Sequence, residues 1–224
     1  LSTTSFGWID LEYAKKRKLP VSNVPGYSKE SVAEQSIAFL LGAMKRIFVS
    51  DRRTDKGKYV LQQGFELRGK TLGIYGLGSI GSATAELAKG LGMNVIAYNR
   101  TKKTMKGVEM VTLNELFKKS DAISLHTTHE ESNHHIIGKD ELSKMKKGVF
   151  IINTVDRELV DEKALAQALK SGQVDTYVYE GEDLVNTPLG KIETAIGFKG
   201  FAWYTKEALE NLYKIFVDNI VALA

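Results

Sequence analysis

Two short stretches of this 224-residue chain carry the residue types that chemistry needs. The first is Gly-Ile-Tyr-Gly-Leu-Gly-Ser-Ile-Gly at 73–81, which sets Gly76, Gly78 and Gly81 in the spacing G-x-G-x-x-G. It follows an apolar strand pattern and opens a helix. There, the first glycine permits a tight turn, the second lets a pyrophosphate approach the backbone, and the third lets helix pack on strand. The second stretch is Asn153-Thr154-Val155-Asp156-Arg157-Glu158, a charged turn behind the apolar run Val149-Phe150-Ile151-Ile152. It puts an acid and a base side by side at the carboxyl end of a strand, where open parallel sheets bind ligands.

The end of the next strand bears on which dinucleotide fits. A carboxylate there would hold the ribose 2′-hydroxyl of NAD. The sequence has Asn99-Arg100-Thr101-Lys102-Lys103 instead. Arg100 and Thr101 suit a 2′-phosphate, so NADP is favoured over NAD. The four histidines, His126, His129, His134 and His135, follow a spacing that suits no common zinc motif, and no metal site is expected. Lys199, Tyr177 and Tyr204 have side chains able to move a proton, although a solvated lysine and packed tyrosines are the favoured explanation of them.

The elements that must position these residues alternate. Apolar runs at 71–76, 94–99, 108–111, 121–126, 149–154, 176–179 and 194–197 read as buried strands, and helical patterns at 83–91, 113–120 and 163–172 lie between them. That alternation predicts an α/β, doubly wound parallel sheet. Ahead of it, residues 1–5 and 20–25 read as short strands around a helix at 10–18. Ser31-Val32-Ala33-Glu34 has the form of a capping box and opens a helix that is apolar nearly all round to Met44, as for a helix buried between layers or subunits. Residues 50–68 read as a connection, and Leu209, Leu212, Phe216 and Ile220 mark an amphipathic C-terminal helix.

Composition narrows the function classes. A hydrophobic content of 43% supports one large domain or two small ones, and with no cysteine there is no disulfide or thiol chemistry. The net charge of +4 is scattered in small groups such as Lys15-Lys16-Arg17-Lys18 without interleaved aromatics, which speaks against a nucleic-acid groove. No apolar stretch is long enough to cross a membrane, and a cytoplasmic location is expected.

Taken in order, GWIDLEYAKKRKLPVSNVPGYSKESVAE, LRGKTLGIYGLGSIG, SLH, MKKGVFIINT, ELVDEKALAQALKSG, EGE and AWYTKEAL resemble the D-isomer-specific 2-hydroxyacid dehydrogenases, a group with formate, glycerate and phosphoglycerate dehydrogenases among its members. The resemblance covers nearly the whole chain. It implies a Rossmann-type cofactor domain at about 49–195, a reduced flavodoxin-like second lobe from 1–48 and 196–224, a nicotinamide cofactor (NADP or NAD), a small-molecule substrate and a homodimer. It also implies that opening elements of the substrate domain, which would precede Leu1, are missing from this chain. The cofactor contacts it implies are Gly76, Gly78, Ser79, Ile80 and Gly81 on the loop, Asn99, Arg100 and Thr101 after the second strand, His126, Thr127, Thr128 and Asn133 after the fourth, and Thr154 and Val155 after the fifth.

The same resemblance marks departures. The family's substrate-binding Arg, in a pattern like N-T-x-R-G, is matched by Asp156, with Arg157 next to it. Its acid–base His, in T-P-H, is matched by Gly200. The Glu that orients that His persists as Glu182, the Asp five positions before it is matched by Tyr177, and a Pro after the fourth strand by Thr128. The candidates left for acid–base work are Glu182, Lys199 and Asp156. Two functions are therefore expected: hydride transfer by groups other than the family's own, or an inactive NAD(P)-binding sensor or partner subunit.

Overall fold

The computed structural model describes Leu1, Thr4 and residues 9–223. Seven strands form one sheet: β1 (Thr71–Tyr75), β2 (Asn94–Tyr98), β3 (Glu109–Met110), β4 (Ala122–Leu125), β5 (Val149–Asn153), β6 (Val174–Glu180) and β7 (Ala195–Phe198). Their order is β3-β2-β1-β4-β5-β6-β7, with every neighbouring pair parallel. The chain winds outward in one direction from β1 and in the other from β4. The crevice between the carboxyl ends of those two strands is the switch point where such sheets take ligands.

Helices cover both faces, which explains why β4 and β5 are buried at every residue. On one face lie α5 (Leu113–Lys119), α6 (Lys139–Lys144) and α7 (Glu162–Ser171), packed through Leu116, Leu142 and Leu165 onto Ile123, Ile151 and Tyr177. On the other lie α2 (Lys29–Met44) and α4 (Ser79–Gly90), packed through Phe39, Leu40 and Ala85 onto Leu72, Ile74 and Ile152. Side chains that alternate along β1, β5 and β6 thus serve two separate cores.

Several local expectations are corrected. The helix α2 begins two residues before Ser31, directly after a turn at Gly26. Ser31 lies inside its first turn, and its hydroxyl donates to the Ala202 carbonyl rather than capping the helix. A capping box does form at α5, where Thr112 Oγ1 accepts from the Glu115 amide at 3.2 Å and Glu115 Oε2 accepts from the Thr112 amide at 3.0 Å. Residues 20–25 form no strand; they are held by side chains, with the Asn219 amide donating to the Asn23 carbonyl at 2.9 Å. The strand expected at 1–5 lies, apart from Leu1 and Thr4, outside the described residues. The helix expected at 10–18 is α1 (Leu11–Lys16), and the first part of the connection expected at 50–68, as far as residue 55, belongs to α3 (Ile47–Asp55).

The helix α2 packs on α4, β5 and β6, and β7 belongs to the same sheet as the rest. The last helix, α8 (Lys206–Leu223), buries only Ala208 and Leu212, while Phe216 and Ile220 remain exposed.

Candidate functional site

The loop from β1 to α4 has the geometry its glycines predict. Gly76 sits at φ +102°, and a Cβ there would come within 2.5 Å of the His126 carbonyl oxygen. A Cβ on Gly81 would strike the Gly76 carbonyl, so the first turn of α4 lies directly against the turn. Around Gly78, the residue that caps α4, the space where a side chain would be is open. No side chain caps this helix, whose start at Ser79 and Ile80 is a ready anion site. An open cradle at the switch point, with close backbone packing behind it, fits a dinucleotide pyrophosphate.

The end of β2 is organised by Asn99. Its Oδ1 accepts from the Leu77 amide at 2.9 Å, and its Nδ2 donates to both the carbonyl and the hydroxyl of Thr101 at 2.9 Å. Lys103 Nζ donates to the Leu77 carbonyl at 3.0 Å. Arg100 reaches across to the loop after β4 and makes a two-pronged pair with Glu130 at 2.6 and 3.2 Å. That guanidinium holds the Glu130 carboxyl below the usual carboxylate range.

At the end of β4, His126 Nε2 lies 2.9 Å from Ser124 Oγ, and its Nδ1 is shut away from water with no partner. Part of the residue reaches the surface, but burial of the ring lowers its pKa to about 4, so the imidazole is neutral. The following loop, with Thr127 and Thr128, is closed by Asn133. Its Nδ2 donates to the Thr128 carbonyl at 2.9 Å and its Oδ1 accepts from the Glu130 amide at 2.7 Å. Asn133 is therefore engaged within the loop on both sides of its amide.

At the end of β5, Thr154 Oγ1 pairs with Ser36 Oγ of α2 at 3.2 Å, and the Val155 amide donates to Asn153 Oδ1 at 3.0 Å. Asp156 Oδ2 accepts from the His129 amide at 3.0 Å, tying this loop to the one after β4. Arg157 points elsewhere. It donates to Glu162 through Nε at 2.7 Å and to the Asp183 carbonyl at 2.8 Å, with its guanidinium 5.5 Å from the centre of the Tyr179 ring. The carboxyl ends of β5, β6 and β7 surround an open cleft of about 1020 Å³ that Thr154, Asp156, Glu180, Glu182 and Gly200 help to line.

The remaining candidates differ in accessibility. Glu182 and Lys199 face each other at 3.9 Å, both about 80% exposed. Tyr177 is fully buried, and its hydroxyl accepts from Asn153 Nδ2 at 2.9 Å. It is an internal strut between β5 and β6, which removes it as a proton donor at the cleft, and burial raises its pKa. Tyr204 is exposed. Sequence reasoning missed Glu180, whose carboxylate accepts from the amides of Phe201 and Ala202 at 3.3 and 3.0 Å and whose pKa is raised by burial. The available signal was a carboxylate directly after the run Tyr177-Val178-Tyr179, at the carboxyl end of β6. His129 and His134 share a 3.1 Å contact, but among the described residues no three acidic or histidine side chains are grouped to hold a metal ion.

Residues 37–196 match the model of the D-isomer specific 2-hydroxyacid dehydrogenase NAD binding domain. The chain belongs to the D-isomer specific 2-hydroxyacid dehydrogenase family. It is 36% identical to a glyoxylate reductase of Thermococcus litoralis, covering 96% of this chain and 70% of that protein. It is 42% identical to a hydroxypyruvate reductase of Thermotoga maritima over 74% of this chain and 55% of that one. Among solved structures, it superposes on an acyclic imino acid reductase in complex with NADPH and D-Arg with a TM-score of 0.90, at 34% identity, covering 99% of this chain and 75% of the other. A D-lactate dehydrogenase of Aquifex aeolicus complexed with NAD and lactic acid gives 0.88 at 32% identity, covering 99% and 74%. The relatives are nicotinamide-dependent oxidoreductases, and the domain matched is a nicotinamide-dinucleotide fold.

Proposed function

We propose that this member of the family binds NADP(H) in preference to NAD(H) at the Gly76–Gly81 loop, and that it transfers hydride to or from a small substrate without the family's Arg and His. The observation that carries the reading is the open backbone cradle at Gly78, backed by the turn at Gly76 and the contact at Gly81. A bound nicotinamide supplies or accepts the hydride. Thr154 and Asp156 flank the cleft, and Arg100 and Thr101 are the groups for a 2′-phosphate.

On the substrate side, Asp156 disfavours a 2-oxo acid, because two carboxylates in one cleft repel. Arg157 offers no remedy while Glu162 and the Asp183 carbonyl hold it. The acid-lined cleft favours a substrate with cationic or imine character, and the similarity to a reductase solved with NADPH and D-Arg supports that choice. Glu182 and Lys199 at the rim are the groups assigned to proton transfer.

Titration of the protein with NADPH and NADH, followed by nicotinamide fluorescence, tests binding; affinity weaker than millimolar for both sinks the proposal. Loss of absorbance from NADPH with a panel of 2-oxo acids and imines tests turnover. A second reading, an inactive cofactor-binding subunit, is favoured by Gly200, where no side chain is present to act as acid, and by the exposure of Glu182 and Lys199. Firm NADPH binding with no consumption on any substrate selects it. Homodimer assembly belongs to both readings, supported by the exposed apolar run Tyr59-Val60-Leu61, and sedimentation velocity checks it.

A further inference from the structure

We propose that Glu130 limits the preference of this protein for NADP(H), by acting as a resident anion on the guanidinium of Arg100 that a 2′-phosphate must displace. The inference rests on the dinucleotide-binding reading above and deepens it.

Three observations lead there. Asn99, at the position where a carboxylate would hold a ribose diol, is tied on both sides of its amide to Leu77 and Thr101. The end of β2 therefore offers the adenosine ribose no carboxylate of its own. Next to it, Arg100 is 71% exposed along its side chain, so its guanidinium is open to an anion from solvent. Yet both prongs of that guanidinium are engaged by one carboxylate from another loop, Glu130, in the geometry a phosphate would use. Glu130 is 48% exposed, and its backbone is fixed by Asn133, so its side chain alone moves when the pair opens.

The two ligands then meet different sites. NAD(H) leaves the Arg100–Glu130 pair intact. NADP(H) takes Arg100 for its phosphate and leaves Glu130 close to a dianion, which costs affinity both through the lost pair and through repulsion. Glu130 thus restrains a preference that Arg100 creates. Lys103 Nζ, held on the Leu77 carbonyl, adds a second cation beside the same turn and does not depend on Glu130.

Glu130→Gln keeps the size of the side chain and removes the charge. It is expected to tighten NADPH binding about 3- to 10-fold while NADH binding changes less than about twofold. In an Arg100→Gln background the same change is expected to give a smaller NADPH gain, since the pair is already gone and only repulsion of the phosphate remains to be relieved. Both cofactors are titrated by fluorescence into all four proteins, with melting curves confirming that each is folded. If both cofactors bind but the NADPH-to-NADH ratio is the same in wild type and Glu130→Gln, the role of Glu130 is overturned and the binding reading stands. A weaker NADPH affinity in Glu130→Gln overturns it as well, by making Glu130 part of the phosphate site. If neither cofactor binds any of the proteins, the underlying reading fails instead. Should Glu130→Gln melt well below wild type, Glu130→Ser carries the same comparison.

Discussion

Lowering the pH should destabilise this protein through His126 by an amount its surroundings fix. Burial lowers the folded-state pKa to about 4, from an ordinary value of 6.5. Above pH 6.5 the ring is neutral in folded and unfolded chains, and its contribution to stability is complete. Between 6.5 and 4 only the unfolded chain takes up the proton, so stability falls as pH falls; below 4 both states are protonated and the loss levels off. The shift corresponds to about 3 kcal/mol in total, and about 2.5 kcal/mol of it is gone by pH 4.5. Urea unfolding at steps from pH 7.5 to 4.5, on wild type and His126→Gln, isolates this residue. Carboxylates such as Asp121, whose pKa is lowered, titrate in both proteins and cancel in the difference. Wild type should lose about 2–3 kcal/mol more than the variant across that range. Parallel curves would refute the desolvated, neutral imidazole and with it the assignment of His126 Nδ1 as enclosed.

Other consequences follow from the same geometry. Tyr177→Phe removes a buried hydroxyl that pairs with Asn153; it should lower stability by about 1 kcal/mol in denaturant unfolding and leave NADPH affinity unchanged. Gly76→Ala must adopt φ near +102° and meet the His126 carbonyl, so a cost of about 2–4 kcal/mol is expected, read as a fall in melting temperature together with weaker cofactor binding. Gly200→His enters open space, with no atom within 4 Å of its Cβ, and should leave the melting temperature nearly unchanged. Asp156→Arg takes away the acceptor of the His129 amide and should cost about 1 kcal/mol in the same melts.

The sheet was legible because its strands are buried on both faces and read as continuous apolar runs. Residues 149–154 read as a strand on that ground, and β5 is buried throughout. The weak β3 kept only Glu109 and Met110, since an edge strand has half the partners to hold it. The start of α2 was misplaced because Ser31 and Glu34 have the spacing of a capping box, whereas the Ser31 hydroxyl finds a carbonyl more than 170 positions away, at Ala202. No local rule detects such a partner. For the same reason the sequence does not show which partners hold Tyr177 and Arg157, which in the fold are Asn153 and Glu162.

The two ends of the crevice therefore differ in what a sequence can show of them. At the end proposed to take the cofactor, the cradle for the pyrophosphate is main chain. Exposing it needs only a positive φ at Gly76, a close contact at Gly81 and an uncapped helix start, and each of these is written in residue type and spacing. At the substrate end the work falls to side chains, and what each one does depends on neighbours drawn from other loops. Asp156 makes the point. Aligned as a replacement for a substrate-binding Arg, it reads as a lost function; in the fold it holds the His129 amide and joins the loops after β4 and β5. A carboxylate in that role is supported by an amide that an Arg could not satisfy, since a guanidinium only donates. Asp156→Arg should therefore loosen the tie between the loops after β4 and β5, and a changed NADPH affinity in that variant would show that the effect reaches the Arg100–Glu130 pair.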